Sequence, residues 1–419
     1  MINSVRIVTA LTYTEGRFPP MSGFLDTLNT IIWSPALVFL CLGAGIYFTL
    51  ATKFLQIRCI PDMIKQLKDG ESSESGVSSF QSLMISLAGR VGVGNISGVA
   101  TAIAFGGPGA VFWMWAVALL GSATSFVECT LAQVYKEKDQ DTGEYRGGPA
   151  YYIEKAYKHT KAGPFMVVYG IVFAIAMILA TSYFLPGIQA NGVAAAVENA
   201  WGIKVGWSAI VLAGVLALII IGGVKRIANF ASLVVPFMAG AYILFAIIIL
   251  FVNFSQIPEV FGMIFKSAFG AEQAFSGLLG SAIMWGVKRG IYSNEAGQGT
   301  GPQSAAAAEV SHPAKQGFVQ AFAVYIDTIF VCSATAFIII STDMYKVFEN
   351  ESEDGPTRYA GAIPDDVAVG PGYVQHGLDT LLNGFGPSFI AIAIAFFAFT
   401  TVLAYYYMAE VNLTYFNRW

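Results

Sequence analysis

The 419-residue chain is 55% hydrophobic and only 12% charged, with a net charge of −4. Charged residues are about half as frequent as in soluble globular domains, so the composition is that of an integral membrane protein. At about 20 residues per span, the length allows about ten membrane-spanning helices. The sequence contains no lysine- or arginine-rich stripe of the kind that binds nucleic acid. The cysteines lack the paired spacing of metal or disulfide sites; they are Cys41, Cys59, Cys129 and Cys332.

Long apolar stretches predict an all-α polytopic membrane protein. They read as near-continuous hydrophobic runs, as lipid requires, and not as amphipathic stripes. The predicted spans are 30–54, 80–105, 110–135, 165–185, 205–222, 227–254, 274–300, 318–342 and 388–410. A short surface or re-entrant helix is predicted at Gly372–Leu382, and another at 187–200 before the fifth span. Residues 1–27 lack a signal-peptide pattern, so we expect the first apolar run to be a retained span.

Two of the predicted spans are interrupted by glycines and by charge. The first broken segment is 82–103, and the second broken segment is 277–299. Lipid offers no partner for free backbone groups, so a helix unwinds at membrane depth only where it lines an enclosed cavity. Two such segments in corresponding halves of a chain indicate a secondary transporter with a site near the midplane. We expect Gly92–Asn95 and one stretch within 286–300 to leave regular helix and to lie close together.

The distribution of basic residues orients these spans. Loops 53–79 and 136–163 are richer in lysine and arginine than the loops that alternate with them, and Lys225 and Arg226 fill a third loop; the positive-inside rule makes these three loops cytoplasmic. The N-terminus is then external, and the acidic loop 343–387 is external as well. The two broken segments run in opposite directions under this topology, as an inverted repeat demands.

The glycine motifs closely resemble those of the alanine/glycine:cation symporters. The resemblance covers almost the whole chain and rests on Gly92–Ile103, Gly106–Trp115, Gly147–Lys155, Gln189–Asn191, Gly286–Gly297, Asp327–Thr328 and Phe397–Thr401. It implies a leucine-transporter fold of the APC superfamily, in which one extra N-terminal helix precedes a five-plus-five inverted repeat. We expect residues 1–419 to form a single transmembrane domain. Within it, the extra helix is 30–54, the first repeat is 80–254 and the incomplete second repeat is 274–419. The last two helices of that fold are then absent.

The resemblance implies Na⁺-coupled uptake of a small neutral amino acid, alanine or glycine, by a monomer in the plasma membrane lipid bilayer. No cofactor is expected beyond the transported Na⁺, and no nucleic acid partner. An enzyme is not expected, because no nucleophile–base set, metal cluster or P-loop is present, and the glycine spacing does not fit a dinucleotide fingerprint. The alternatives are an H⁺-coupled permease, a channel or sensor on the same scaffold, and a truncated inactive form. No histidine lies at a span centre, which favours Na⁺ over H⁺.

The resemblance also assigns site residues. The expected substrate pocket is formed by Gly94, Asn95, Gln189, Asn191, Thr401 and Tyr405, the last standing where the family tends to have tryptophan. The expected cation ligands are Gly92, Val93, Thr400 and Thr401. Unwinding frees backbone carbonyls for a cation and amides for a carboxylate. The alternatives are close helix packing for the glycines, bonding of each threonine to its own helix, and a solvated loop start for the two amides.

Charges of both signs fall within the predicted spans, where an unpaired charge is costly. They are Arg90, Glu128, Lys288, Arg289, Glu295 and Asp327, all in the cytoplasmic half of their spans under this topology. We expect Arg90 to pair with Glu295 at roughly 4 Å or less, with Glu128 and Asp327 as alternative partners. Such a pair is either an inner gate or a static link between helices.

Overall fold

The computed structural model describes residues 34–68, 76–139, 142–220, 223–349, 352–353, 355–380 and 382–416. Its α-helices are α1 (Pro35–Ala51), α2 (Leu55–Arg58), α3 (Ile60–Lys68), α4 (Ser79–Arg90), α5 (Ser97–Gly106), α6 (Gly109–Tyr135), α7 (Pro149–Tyr157), α8 (Gly163–Leu179), α9 (Leu185–Trp201), α10 (Val205–Ile220), α11 (Gly223–Val252), α12 (Ile257–Ala268), α13 (Leu279–Asn294), α14 (Gly301–Ala307), α15 (Pro313–Val324), α16 (Ser333–Ser341), α17 (Pro371–Asp379) and α18 (Gly386–Phe416).

Shorter elements join these helices. The 3₁₀ turns are Val93–Asn95, Phe254–Gln256 and Gln273–Leu278, and the π-helical turns are Ala180–Phe184 and Tyr325–Cys332. Two small antiparallel hairpins pair β1 (Glu137–Lys138) with β2 (Tyr145–Arg146) and β3 (Lys346–Phe348) with β4 (Thr357–Ala360). The short helix predicted at 372–382 is present as α17.

The described residues form a multi-pass membrane protein. Five helical courses are long and apolar enough to cross a bilayer: Gly109–Tyr135, Gly163–Trp201, Arg226–Val252, Pro313–Ser341 and Gly386–Phe416. The bent pair Ser79–Arg90 and Val93–Gly106, with an angle of 61° between its halves, passes the same test when the two halves are taken as one span. The polytopic all-α prediction is therefore confirmed. The division into repeats at 30–54, 80–254 and 274–419 remains a prediction, as do the orientation of the N-terminus and the absence of two final helices.

The first broken helix consists of α4 and α5 with the 3₁₀ turn Val93–Asn95 between them. Ser78 starts α4 through a capping box, in which its hydroxyl accepts from the Gln81 N–H and the Gln81 amide accepts from the Ser78 N–H. The α-helical course stops at Arg90 and resumes at Ser97. The predicted departure from helix at Gly92–Asn95 is therefore confirmed.

The second broken helix consists of α13 and α14, and its break spans 295–300. Glu295, Gly297 and Gly299 all have positive φ, at 55°, 82° and 80°, which ends the helix abruptly. The break lies in the predicted stretch 286–300, but Gly286 lies within the intact helix. A Cβ at Gly286 would lie 2.5 Å from the Cβ of Trp113 on α6, so that glycine serves close helix packing.

The predicted separation of a span at 165–185 from a short helix at 187–200 is wrong. The helical course runs from Gly163 to Trp201 through the π-helical turn Ala180–Phe184. Pro186 lies in the first turn of α9, directly after this wider turn. A π-helical turn shifts the hydrogen-bond pattern, so the proline is accommodated without ending the helix.

The helix pair α5 and α13 forms one wall of the protein core. Phe105 contacts Trp285 with ring centroids 5.0 Å apart, and further along the pair Gly94, just before α5, approaches Tyr292. Sequence numbers rise on one partner and fall on the other, so the two broken helices are antiparallel here. The β3–β4 hairpin packs on the end of α5, where the ring centroids of Phe348 and Phe105 are 6.2 Å apart.

Candidate functional site

Asn95 links the two broken helices. Its Oδ1 accepts from the N–H of Gly92 at 2.8 Å, which closes the first break with a side chain. Its Nδ2 donates to Ser293 Oγ at 3.1 Å on α13 and to Asp327 Oδ1 at 2.5 Å in the π-helical turn. The side chain is fully buried. One amide therefore fixes the separation of both breaks and of a third membrane-spanning segment.

The carboxylate of Asp327 is held by neutral donors. Besides Asn95, Ser293 Oγ donates to Oδ2 at 2.8 Å and Thr328 Oγ1 donates to the same atom at 2.7 Å. Asp327 is fully buried, and it forms no ion pair with a basic side chain in the described parts of the chain. A hydrogen-bonded but unpaired carboxylate at this depth marks a functional position in membrane proteins.

Three backbone carbonyls converge on the hydroxyl of Thr401. Its Oγ1 lies 2.9 Å from the oxygen of Ala88, 3.3 Å from that of Val91 and 2.8 Å from that of Phe397 in its own helix. A hydroxyl has one proton, so it satisfies only one of these acceptors at a time. The Ala88 carbonyl has also lost its helical partner, because the N–H of Gly92 donates to Asn95. The position is electron-rich and is formed only by oxygens.

The assignment of Gly92 and Val93 as cation ligands remains a prediction, and the structure shows how the individual carbonyls of the first break are used. The oxygens of Gly92 and Val93 accept from the N–H groups of Asn95 and Ile96 inside the 3₁₀ turn. The carbonyls that reach Thr401 are instead those of Ala88 and Val91, at the end of α4. A helix terminus leaves its last carbonyls without internal partners, and the sequence alone does not show which of them turn inward.

Thr400 and Thr401 face different neighbours. Thr400 Oγ1 donates to the carbonyls of Phe396 and Phe397 in its own helix, and its other close neighbour is Met238 Sδ at 3.7 Å. Adjacent residues on a helix point about 100° apart, so only one of the two can face the first break. The structure brings Thr401 there and leaves Thr400 bonded to its own helix.

Gln189 and Asn191 also differ in what they contact. Gln189 is buried, and its Oε1 accepts from the N–H of Val93 at 3.0 Å, so it contacts the first break directly. Tyr405 is buried beside it. Asn191 is half-buried and stands two positions further along α9, where side chains do not share a face. Gln189, Tyr405 and Thr401 thus surround Gly92–Val93 from one side, and Asn191 does not join them.

Glycine is required at two positions of the first break. A Cβ on Gly92 would lie 2.7 Å from Thr401 Oγ1 and 3.0 Å from Gln189 Oε1. A Cβ on Gly94 would lie 2.9 Å from the ring of Tyr292. Real Cβ atoms do not approach neighbours so closely, so these glycines let three other elements reach the backbone.

The predicted ion pair of Arg90 is not formed. Arg90 is 2% exposed, and its guanidinium donates to the Gln320 carbonyl at 3.1 Å and to Ser125 Oγ at 3.2 Å. No carboxylate of the described residues lies within ion-pairing distance of it. The reason is that the candidate partners Glu295, Glu128 and Asp327 are each held by other donors.

Carboxylates hold the second break. Glu128 Oε1 accepts from the N–H of Gly297 at 3.0 Å, and Glu295 Oε2 accepts from Thr300 Oγ1 at 2.8 Å. Both acids are buried. They stabilise an amide and a hydroxyl of the unwound stretch, whereas the sequence predicted that one of them would pair with Arg90.

Some residues of this site were missed. Ser293 bonds Asn95 and Asp327, and Thr335 Oγ1 donates to the Asn95 carbonyl at 2.7 Å. Ser293 stands within the motif 286–297 and could have been found there as a hydroxyl next to the second break. Thr335 carries no local signal, because a threonine in a membrane helix usually bonds its own helix.

Comparison with known proteins gives a consistent picture. The family model described as the sodium:alanine symporter family matches residues 20–418. The chain is 56% identical over 398 residues to the putative sodium/proton-dependent alanine carrier protein YrbD of Bacillus subtilis, covering 95% of this chain and 79% of that protein. It is 43% identical to the probable sodium/glutamine symporter GlnT of Bacillus subtilis, covering 93% and 76%. It is 39% identical to the sodium/alanine symporter AgcS of Methanococcus maripaludis, covering 92% and 82%.

Proposed function

The chain belongs to the sodium:alanine symporter family and is a transporter, not an enzyme, and we propose that it imports alanine or glycine together with Na⁺. The observation that carries this proposal is the convergence of the Ala88, Val91 and Phe397 carbonyls on Thr401. Unwound carbonyls facing a hydroxyl are the ligands with which discontinuous helices hold a coupling Na⁺.

The amino acid binds on the other side of the same backbone. Its carboxylate lies near the amide of Gly94, since the N–H of Asn95 already donates to the Gly92 carbonyl, and Gln189, Tyr405 and Thr401 line the pocket for the rest of the molecule. Tyr405 is smaller than the tryptophan that the family tends to place there, and a relative named for glutamine is consistent with a pocket that varies in size.

Coupling follows from the shared backbone. The cation takes carbonyls of residues 88–91, and the amino acid takes amides only a few residues further along the chain. Each ligand therefore orders the same break for the other, and such a coupling free energy is reciprocal. An ion gradient then drives uptake, because the occupied cation site raises the affinity for the amino acid.

A proton is the alternative coupling ion. Asp327 is a buried carboxylate with three neutral donors, and one relative is named as sodium/proton-dependent. In this alternative, Asp327 carries the proton and the Thr401 position remains a structural contact. An inactive or sensing form of the scaffold would bind the amino acid without moving it.

Uptake of labelled alanine into proteoliposomes tests these alternatives. An inward Na⁺ gradient at equal pH should drive accumulation, and an inward proton gradient without Na⁺ should not. Accumulation with the proton gradient alone would reject Na⁺ coupling. Binding without uptake under either gradient would identify the sensing form.

A further inference from the structure

One face of α13 carries three buried polar atoms that have no hydrogen-bond partner. Trp285, Arg289 and Tyr292 stand at positions i, i+4 and i+7, which places them on one side of a helix. The buried atoms Trp285 Nε1, Arg289 Nε and Tyr292 Oη form no hydrogen bond. Nearly all buried polar groups in proteins are hydrogen-bonded, so three unmet ones on a single face require an explanation.

This face lies against α5, the second half of the first broken helix. The Arg289 side chain approaches Gly98, where an added Cβ would lie 3.8 Å from Arg289 Cδ. The guanidinium is 5.2 Å from the centre of the Trp285 ring. Tyr292 packs on Gly94, the residue whose amide is proposed to meet the substrate. These contacts place the α13 face beside the backbone of the first break, where the amino acid is proposed to bind.

The charge of Arg289 is not neutralised by the protein. In the described portions of the chain, Arg289 forms no hydrogen bond and no ion pair with a carboxylate. It differs in this from Arg90, which is bonded to Gln320 and Ser125. An arginine with a structural role would be expected to have such partners. An arginine that extends its side chain into bulk water would be expected to expose its Nε.

The unmet atoms define the chemistry of the missing partner. Arginine Nε–H and indole N–H are donors only, and the tyrosine hydroxyl can donate. A ligand that satisfies them must offer acceptors and negative charge. A carboxylate does so, and it takes the planar guanidinium through paired charge-assisted bonds.

We propose that Arg289, with Tyr292 and Trp285 beside it, binds the α-carboxylate of the transported amino acid. The inference rests on the proposed function, which it extends by naming the residue that requires a free carboxylate. The backbone amides of the first break and the guanidinium then hold the same group from two sides. Alanine is accepted, and alaninamide, which has no carboxylate and carries a positive charge, is rejected.

Competition binding to the purified full chain at saturating Na⁺ tests the proposal. Wild type should prefer alanine over alaninamide strongly. Arg289→Gln should weaken alanine binding by roughly tenfold or more, and the preference should fall towards unity. The matched control Lys288→Gln removes the neighbouring positive charge and should change alanine binding by less than about twofold. An Arg289→Gln protein that retains the wild-type preference would overturn the proposal.

A second measurement on wild type does not depend on a variant that folds. Phenylglyoxal modifies accessible arginines, and mass spectrometry resolves Arg289 from the others. Alanine should protect Arg289, and alaninamide at the same concentration should not. Equal modification with and without alanine would contradict the proposal.

The outcomes separate this inference from the proposed function. If wild type binds alanine but Arg289 is neither protected nor required, the inference fails and the proposed function stands. If wild type binds neither alanine nor glycine, the proposed function fails. Protection by other neutral amino acids, tested against their amides, then decides whether Arg289 recognises a carboxylate.

Discussion

The two helix breaks satisfy their freed backbone groups with different side chains: amides at the first break and carboxylates at the second. At the first break, neutral amides of Asn95 and Gln189 accept the freed N–H groups, and carbonyls turn towards Thr401. At the second break, the carboxylates of Glu128 and Glu295 accept from an amide and a hydroxyl. Side-chain oxygens thus accept freed N–H groups at both breaks, but these oxygens are neutral at the first break and charged at the second. We expect a cation at the first break, where carbonyls face Thr401.

The largest effect is expected from Asn95→Ala, which disconnects the two breaks. The variant loses the bonds to Gly92, Ser293 and Asp327 and leaves a buried carboxylate short of a donor. We expect amino acid binding to weaken by more than about tenfold and the free energy of unfolding to fall by about 3 kcal/mol. Binding assays and thermal unfolding measure the two losses.

Asn412→Ala is the control for this variant, because it removes another buried amide, bonded to Gln303. It should lose stability and keep its amino acid affinity. Near-wild-type affinity in Asn95→Ala would refute the assignment of Asn95 to the substrate site.

Thr401→Val tests the cation side of the first break. Valine keeps the shape but removes the hydroxyl among three carbonyls, and we expect the Na⁺ concentration for half-maximal alanine uptake to rise by roughly 10- to 100-fold. Thr400→Val is the matched control, since that hydroxyl bonds its own helix. Equal sensitivity to Na⁺ in both variants would contradict the difference between the two threonines.

Gln189→Ala is expected to weaken amino acid binding by about tenfold, because the N–H of Val93 loses its acceptor within the proposed pocket. Asn191→Ala on the same helix should change affinity by less than about twofold. Equilibrium binding of labelled alanine compares them. A larger effect at Asn191 would mean that this side chain, and not Gln189, reaches the substrate.

The smallest effect is expected at the second break. Glu128→Gln replaces a charge-assisted bond to Gly297 with a neutral one, and we expect uptake to slow by about threefold with no change in Na⁺ dependence. Glu154→Gln, which alters a carboxylate bonded to Tyr415 instead, is the control. A shift in Na⁺ affinity in Glu128→Gln would show that both breaks contribute to the ion site.

Much of the fold was predictable, because lipid imposes long apolar runs and glycines mark the breaks. Glycine alone did not show which role each one plays. Gly286 packs helix against helix, whereas Gly297 adopts a positive φ, and only the partner across the interface distinguishes them. The π-helical turn at Tyr325–Cys332 likewise has no local sequence signal, although it presents Asp327 to Asn95.

The candidate site was predictable as a set of residues but not as a set of bonds. The motifs located Asn95, Gln189 and Thr401, and the structure places all three around the first break. The Arg90 pairing failed because charge balance along a sequence does not reveal competing neutral donors. Gln320 and Ser125 take the guanidinium, and neither was considered from the sequence.

The β3–β4 hairpin has a consequence for how ion dependence can be measured. Ion pairs at this hairpin join Lys346 to Asp365 and Arg358 to Glu349, and in each pair the carboxylate is the exposed partner, which keeps the contribution to stability small. Stacking of Tyr345 on Tyr359 and the ring contacts on α5 are not screened by salt. Raising NaCl from 0.01 to 0.15 M shortens the Debye length from about 30 to about 8 Å. This change weakens the two ion pairs but not the ring contacts. A sodium titration should therefore report occupancy of an ion site, undistorted by ionic strength acting on this hairpin.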